Sequence, residues 1–244
     1  MSNLVKVVQA ESVEEGKGAL ARRLFPNSDF GHLDPFVLFD EYFIDPSASF
    51  PMHEHGGFEG IQYLTEGATL YKDNMGNEGW IDAGGARRFL AGKGFSHLEE
   101  PRPGKLARGF LLWIKVPEAF RVISSSYQQL TPEQVPRTVK DGIMITTVLG
   151  EDSPIRPLTP TIMKHLSMTK GSSMKIVAKD DFNSFLFLAD GSAEVSGLEF
   201  SEGSGVLLAD NSEYDLKALD GSEVVFVSGR RIGERIRQDG GLVR

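Results

Sequence analysis

The feature that most constrains this chain is its turn spacing. Short apolar stretches alternate with clusters of Gly, Asn and Asp, and hardly any stretch carries the 3.6-residue period of an amphipathic helix. Candidate strands fall at Val5–Gln9, Pro35–Tyr42, Gly60–Thr65, Ala68–Lys72, Gly79–Ile81, Arg87–Leu90 and Ala107–Val116. More follow at Ile143–Leu149, Ile162–Met168, Met174–Ala178, Ser184–Leu188, Gly205–Leu208, Tyr214–Ala218 and Val224–Ser228. Between them lie Asp73–Asn77, Ala83–Gly85, Ala189–Gly191 and Leu219–Gly221, where Gly and Asn enter positive φ at little steric cost. Such a pattern predicts an all-β sandwich or barrel. Helical signals are confined to a turn at Pro117–Arg121 and a capped turn at Thr131–Gln134.

With 244 residues the chain is long enough for two domains, each with its own core. The segment Ser124–Asp141, with a triple serine, Pro132 and Pro136 but little apolar periodicity, reads as the linker. The expected domains are therefore 1–130 and 131–244. A faint repeat supports two similar halves. Leu64-Thr65-Glu66-Gly67-Ala68 resembles Leu188-Ala189-Asp190-Gly191-Ser192, 124 residues on, and Ala83-Gly84-Gly85 corresponds to Glu202-Gly203-Ser204, 119 residues on.

Composition removes several function classes. There is no cysteine, which excludes a disulfide scaffold, thiolate metal sites and a cysteine nucleophile. A net charge of −8 argues against direct nucleic-acid binding and against anionic membranes. Met1 to Gly18 lacks a basic start followed by an apolar run, and no apolar stretch approaches membrane-spanning length. The expected location is the cytoplasm and the expected state a monomer. Gly-x-Ser-x-Gly, His-Glu-x-x-His and phosphate-loop motifs are absent.

The residues that carry chemistry are histidines. His53-Glu54-His55 and His97-Leu98-Glu99 each place two ligand-type side chains on one face of a strand. Two neighbouring strands of this kind aim His53, His55, His97 and Glu99 at one point. Such an all-N/O set suits Fe(II), Mn(II), Ni(II) or Co(II) and leaves coordination positions for substrate. Glu59 is a second candidate carboxylate if the strand from His55 continues, although Gly56-Gly57 can break its phase.

At these residues the sequence resembles the pirin family, a bicupin branch of the cupin superfamily. The resemblance runs from Gly31-His32-Leu33-Asp34-Pro35-Phe36-Val37-Leu38-Phe39-Asp40-Glu41 through His53–Glu59 and Tyr63–Gly67 to Ala91–Pro101. It implies two jelly-roll β-barrels, with one divalent metal in the first, Fe(II) before Mn, Ni, Co or Zn. It implies His53, His55, His97 and Glu99 as ligands and leaves Glu59 as an outer partner; in an enzyme a ligating Glu99 can also take the substrate hydroxyl proton, because a carboxylate can shift between metal and proton. Some pirins open flavonols such as quercetin with dioxygen; others are iron-dependent co-regulators that bind a protein partner. The chain departs from many pirins at Glu54, where Pro is usual, and at Gly56, where Arg is usual.

Other candidates read as structural: His32 in a turn, His165 on an apolar strand, Trp80 and Trp113 at the core or barrel edge. The tail arginines Arg230, Arg231, Arg235, Arg237 and Arg244 read as solvated or paired within the chain. In the second half, the places of His53 and His55 fall near Val177 and Lys179, and that of His97 near Tyr214 to Leu216. A second barrel without metal is expected.

Overall fold

The computed structural model describes residues 6–244. The strands of the first half are β1 (Lys6–Gln9), β2 (Glu11–Glu15), β3 (Ala19–Phe25), β4 (Phe36–Ile44), β5 (Phe50–His55), β6 (Phe58–Glu66), β7 (Ala68–Asp73), β8 (Glu78–Asp82), β9 (Ala86–Leu90), β10 (Phe95–Pro101), β11 (Ala107–Lys115) and β12 (Ser126–Leu130). Those of the second half are β13 (Arg137–Lys140), β14 (Ile143–Leu149), β15 (Thr161–Met168), β16 (Ser173–Ala178), β17 (Phe182–Asp190), β18 (Ser192–Val195), β19 (Leu198–Ser201), β20 (Ser204–Leu208), β21 (Ser212–Ala218) and β22 (Ser222–Arg230), with a terminal hairpin of β23 (Gln238–Asp239) and β24 (Leu242–Val243). Among the described residues there is no α-helix, and the turn expected at Pro117–Arg121 is a 3-10 turn at Glu118–Phe120. The strand expected from Val5 is found from Lys6, Val5 lying outside the described residues.

Each half forms a jelly-roll barrel of a seven-stranded and a four-stranded sheet. The first has the orders β12-β9-β6-β11-β4-β3-β2 and β5-β10-β7-β8; the second has β1-β20-β17-β22-β15-β14-β13 and β16-β21-β18-β19. The orders correspond strand for strand, with β6 matching β17 and β10 matching β21. Gly67 follows β6 and Gly191 follows β17. Both have positive φ, and a Cβ on either would press on a carbonyl, Leu106 O at 2.0 Å and Gly221 O at 2.2 Å. The Gly67/Gly191 match in the sequence marks one turn built twice.

The chain's compact units are not its two halves in order. One contains residues 11–27, 31–135 and 232–244, the other 6–10, 28–30 and 136–231. Strand β1 joins β20, and the C-terminal segment joins the first barrel. The sequence carries no sign of this exchange. The expected linker is also not featureless: β12 pairs along β9 and β13 along β14.

The central strands β4, β6 and β11 are buried on both faces, which explains their near-continuous apolar runs. Their few charges are paired. On β4, Glu41 is fully buried between Arg22 of β3 and Arg108 of β11, accepting from each Nε at 2.7 Å. Its neighbour Asp40 projects to the opposite face and meets Arg23 in a two-pronged pair, Nε to Oδ1 at 2.9 Å and Nη2 to Oδ2 at 2.7 Å.

Candidate metal centre

Strands β5 and β10 lie side by side with His53 directly opposite His97. His55 is the last residue of β5. The ligand-type nitrogens of His53, His55 and His97 all lie within 4.8 Å of one another, and the Nε2 atoms of His53 and His97 are 3.1 Å apart. The outer nitrogens explain this orientation. His53 Nδ1 lies 2.7 Å from Pro51 O, and His55 Nδ1 lies 3.3 Å from Gly241 O. A carbonyl only accepts, so each Nδ1 carries the proton and each Nε2 presents its lone pair inward. His97 Nδ1 is buried with no hydrogen-bond partner.

Aromatic rings wall the triad. His55 makes edge contact with Phe58 and Trp113, at centroid distances of 5.1 Å each, and stacks beside Phe89 at 5.9 Å. His97 packs against Tyr71 and Phe95. Burial, with some repulsion from His53, pulls His55 down to about 3; burial with His55, His53 and Arg87 pulls His97 well below the ordinary histidine value. Both are neutral at physiological pH, the state in which imidazole binds metal. Three converging imidazoles in a partly apolar pocket fit a borderline divalent transition metal.

Glu99 faces the same cavity, outside the close set of imidazoles. Its Oε2 accepts from Gln62 Nε2 at 3.1 Å, and its Oε1 accepts from Arg87 Nη1 at 3.3 Å. Arg87 is fully buried, bonds Gln62 Oε1 at 2.9 Å and lies over the Tyr71 ring. Burial raises the Glu99 carboxyl above the usual carboxylate range; Arg87, His53 and Gln62 pull the other way. Glu59 lies elsewhere. The chain turns at Gly57, with φ of +83°, so β5 ends in the four-stranded sheet and β6 starts in the other. Glu59 there pairs with Arg88.

A cavity of about 490 Å³ opens from the triad. Leu38, Phe89, Leu111 and Trp113 make its apolar wall, and Glu15, Arg23, Asp40 and Glu54 its polar one. Trp113 is thus both core and cavity wall. Gln62 and Arg87 carry no ligand motif in the sequence: each shares its strand with a charged residue, Glu59 in β6 and Arg88 in β9, and nothing local marks it for the site. His32 bonds Val37 O at 2.8 Å, and His165 pairs with Glu223 at 2.7 Å, so both are structural. Trp80 is half-exposed beneath Arg102.

A double jelly roll with three inward histidines on one barrel defines a bicupin with a candidate metal site. Residues 18–114 match the pirin family and residues 163–244 its C-terminal cupin domain. The chain belongs to the pirin family. It is 31% identical to a pirin-like protein of Arabidopsis thaliana over 98% of this chain and 83% of that protein, and 28% identical to human pirin over 97% and 85%. Among solved structures it resembles a quercetin 2,3-dioxygenase from Acinetobacter baumannii, with a TM-score of 0.90 at 22% identity over 98% and 90% of the two chains. It also resembles a bacterial pirin from Escherichia coli in complex with nickel(II), with a TM-score of 0.78 at 18% identity over 93% and 99%.

Proposed function

We propose that this chain is a metal-dependent dioxygenase that opens a flavonol such as quercetin at its 2,3-bond. The observation that carries the reading is the convergence of three imidazoles on an aromatic-walled cavity beside a basic carboxylate. His53, His55, His97 and Glu99 would hold one divalent metal, Fe(II) by family resemblance, with Mn, Ni, Co or Zn as alternatives. When bound, the metal supplies Lewis acidity toward a substrate oxygen and a route for electron density to dioxygen.

The chain's own residues do the rest. Glu99, raised by burial, takes the proton of the substrate hydroxyl: the substrate O–H bond breaks and a carboxyl O–H bond forms. Arg87 and Gln62 keep that carboxylate in place before and after transfer. Phe89, Leu38, Leu111 and Trp113 receive flat rings and exclude water. Trp113 Nε1, buried without an acceptor, is a donor for a substrate oxygen. A cavity of about 490 Å³ is of the size that takes small-molecule ligands. The acidic residues around it favour neutral polyhydroxy compounds over carboxylates.

The test is quercetin consumption with oxygen uptake by protein loaded with Fe(II) without air. Slow turnover is expected, lost in His55→Ala and strongly reduced in Glu99→Gln. A loaded, folded protein that consumes no oxygen with any flavonol would overturn the enzyme reading in favour of a metal-dependent regulator of a protein partner.

A further inference from the structure

We infer that the C-terminal strap, residues 232–244, is part of the metal centre, and that the Gly241 carbonyl is a positioning group for His55. The inference rests on the metal reading above. His53 and His55 are oriented by the same device from different sources. The carbonyl that takes the His53 proton belongs to Pro51, two residues back on the same strand. The carbonyl that takes the His55 proton belongs to Gly241, 186 residues away. Without it nothing on β5 selects which His55 nitrogen keeps its lone pair for the centre.

The strap is fastened along its length. Asp34 accepts from the Ile232 and Gly233 amides at 3.1 and 2.7 Å. Lys115 Nζ donates to Arg235 O at 2.8 Å and pairs with Glu234 at 2.9 Å. Gly56 N donates to Gly241 O at 3.1 Å and Val243 N to Gly56 O at 2.9 Å. Val243 is buried in the same apolar cluster as Phe58, Phe89 and Trp113. Gln238, Gly240 and Gly241 line the cavity itself. Gly241 has no room for a side chain: a Cβ would stand 2.3 Å from Glu54 O and 2.7 Å from His55 Nδ1. An alanine there must lift the strap off the ligand.

Strap closure and metal binding are therefore coupled, and the coupling is reciprocal. Ni(II) affinity, read by competition with a chromophoric chelator, should fall about 10–100-fold in Gly241→Ala, the range seen when a ligand histidine loses its outer partner. Deletion of residues 238–244 should weaken it at least as much. Asp239→Ala, exposed on the same hairpin, should stay within about twofold. The metal-free Gly241→Ala protein should melt no lower than the metal-free 238–244 deletion, and both should keep the parent's single cooperative transition, which shows that the lost affinity is not the unfolding of the barrel. In the unaltered full chain, Ni(II) should slow hydrogen exchange at the Val243 amide. Parent that binds Ni(II) while both variants bind it equally well, or a Val243 amide indifferent to Ni(II), overturns the strap's role and leaves the metal reading standing. Parent that binds no metal overturns both.

Discussion

The two barrels share strand order, turn positions and register, yet differ in what fills them. Register carries each site residue of the first barrel to a counterpart in the second. His53 opposite His97 becomes Ile176 opposite Tyr214, and His55 opposite Phe95 becomes Ala178 opposite Ser212. Gln62 opposite Arg87 becomes Leu186 opposite Val206, and Glu99 opposite Tyr71 becomes Leu216 opposite Val195. Ile176, Ala178, Leu186, Val206, Tyr214 and Leu216 all belong to one continuous apolar core. In the first barrel the apolar residues around the site fall in separate clusters, and the polar rung of Gln62, Arg87 and Glu99 stands between them. One scaffold thus carries both a packed interior and a chemical one. Even a side-chain pair is kept with its acid moved to the other strand: Glu41–Arg108 in the first barrel corresponds to His165–Glu223 in the second.

The comparison breaks most visibly at the metal. His97→Ala should cut metal affinity more than about 100-fold, beyond the loss of an outer partner alone. Tyr214→Ala should leave it unchanged; elemental analysis of both proteins decides, and metal lost from the Tyr214 variant would mean the second barrel is not inert. Next is the polar rung. Glu99→Leu imitates the second barrel but strands the buried Arg87 charge, so denaturant unfolding of metal-free protein should show a loss of about 3–5 kcal/mol. Adding Arg87→Leu and Gln62→Leu should recover most of that loss, because all three polar members of the rung are then apolar, as in the second barrel. Leu216→Ala should cost about 2–5 kcal/mol through the cavity it leaves, with metal affinity untouched.

The smallest effect concerns pH. Burial, opposed by Arg23, lifts the Asp40 carboxyl from 3.8 to about 6. Between these values the folded chain holds a proton that the unfolded chain has released. The stability this group contributes is fully present below pH 3.8 and fades as pH rises through about 6. The unfolding free energy of the parent minus that of Asp40→Asn should fall by about 1–3 kcal/mol with rising pH across that window, against the opposite tilt that His55 and His97, held neutral by burial, give to both proteins. Lys164 takes the place of Asp40 in the second barrel, so Lys164→Gln should leave the slope alone.

The all-β class, the doubling and the histidine pairs were legible because each is written in local pattern. The counterparts of His53 and His55 were missed by one residue. Counting 124 from Gly67 and Gly191 leads to Val177 and Lys179, whereas the register leads to Ile176 and Ala178. The cause is the corner after the first strand: two residues separate β5 from β6, and three separate β16 from β17. In a strand one residue changes the face, and Val177 indeed points to solvent. The choice between Glu59 and Glu99 turned on the same corner, since Gly57 sends Glu59 into another sheet. Gln62 and Trp113 reach the cavity, and Arg87 reaches Glu99, from strands with no ligand motif, and the strap arrives from the far end of the chain. Such contacts exist only after folding and leave no short-range signature.

The exchange of chain ends also sets an order in time. Strands β2 to β12 are made before any of β13 to β22, yet the segment that supplies Gln238, Gly240 and Gly241 to the first barrel's cavity is made after all of them. At about 5–20 residues per second, the nascent barrel waits on the order of ten seconds for that segment. Until then the His55 ring lacks the Gly241 carbonyl that holds it in the finished chain, so the last residues made complete a site laid down more than a hundred residues earlier.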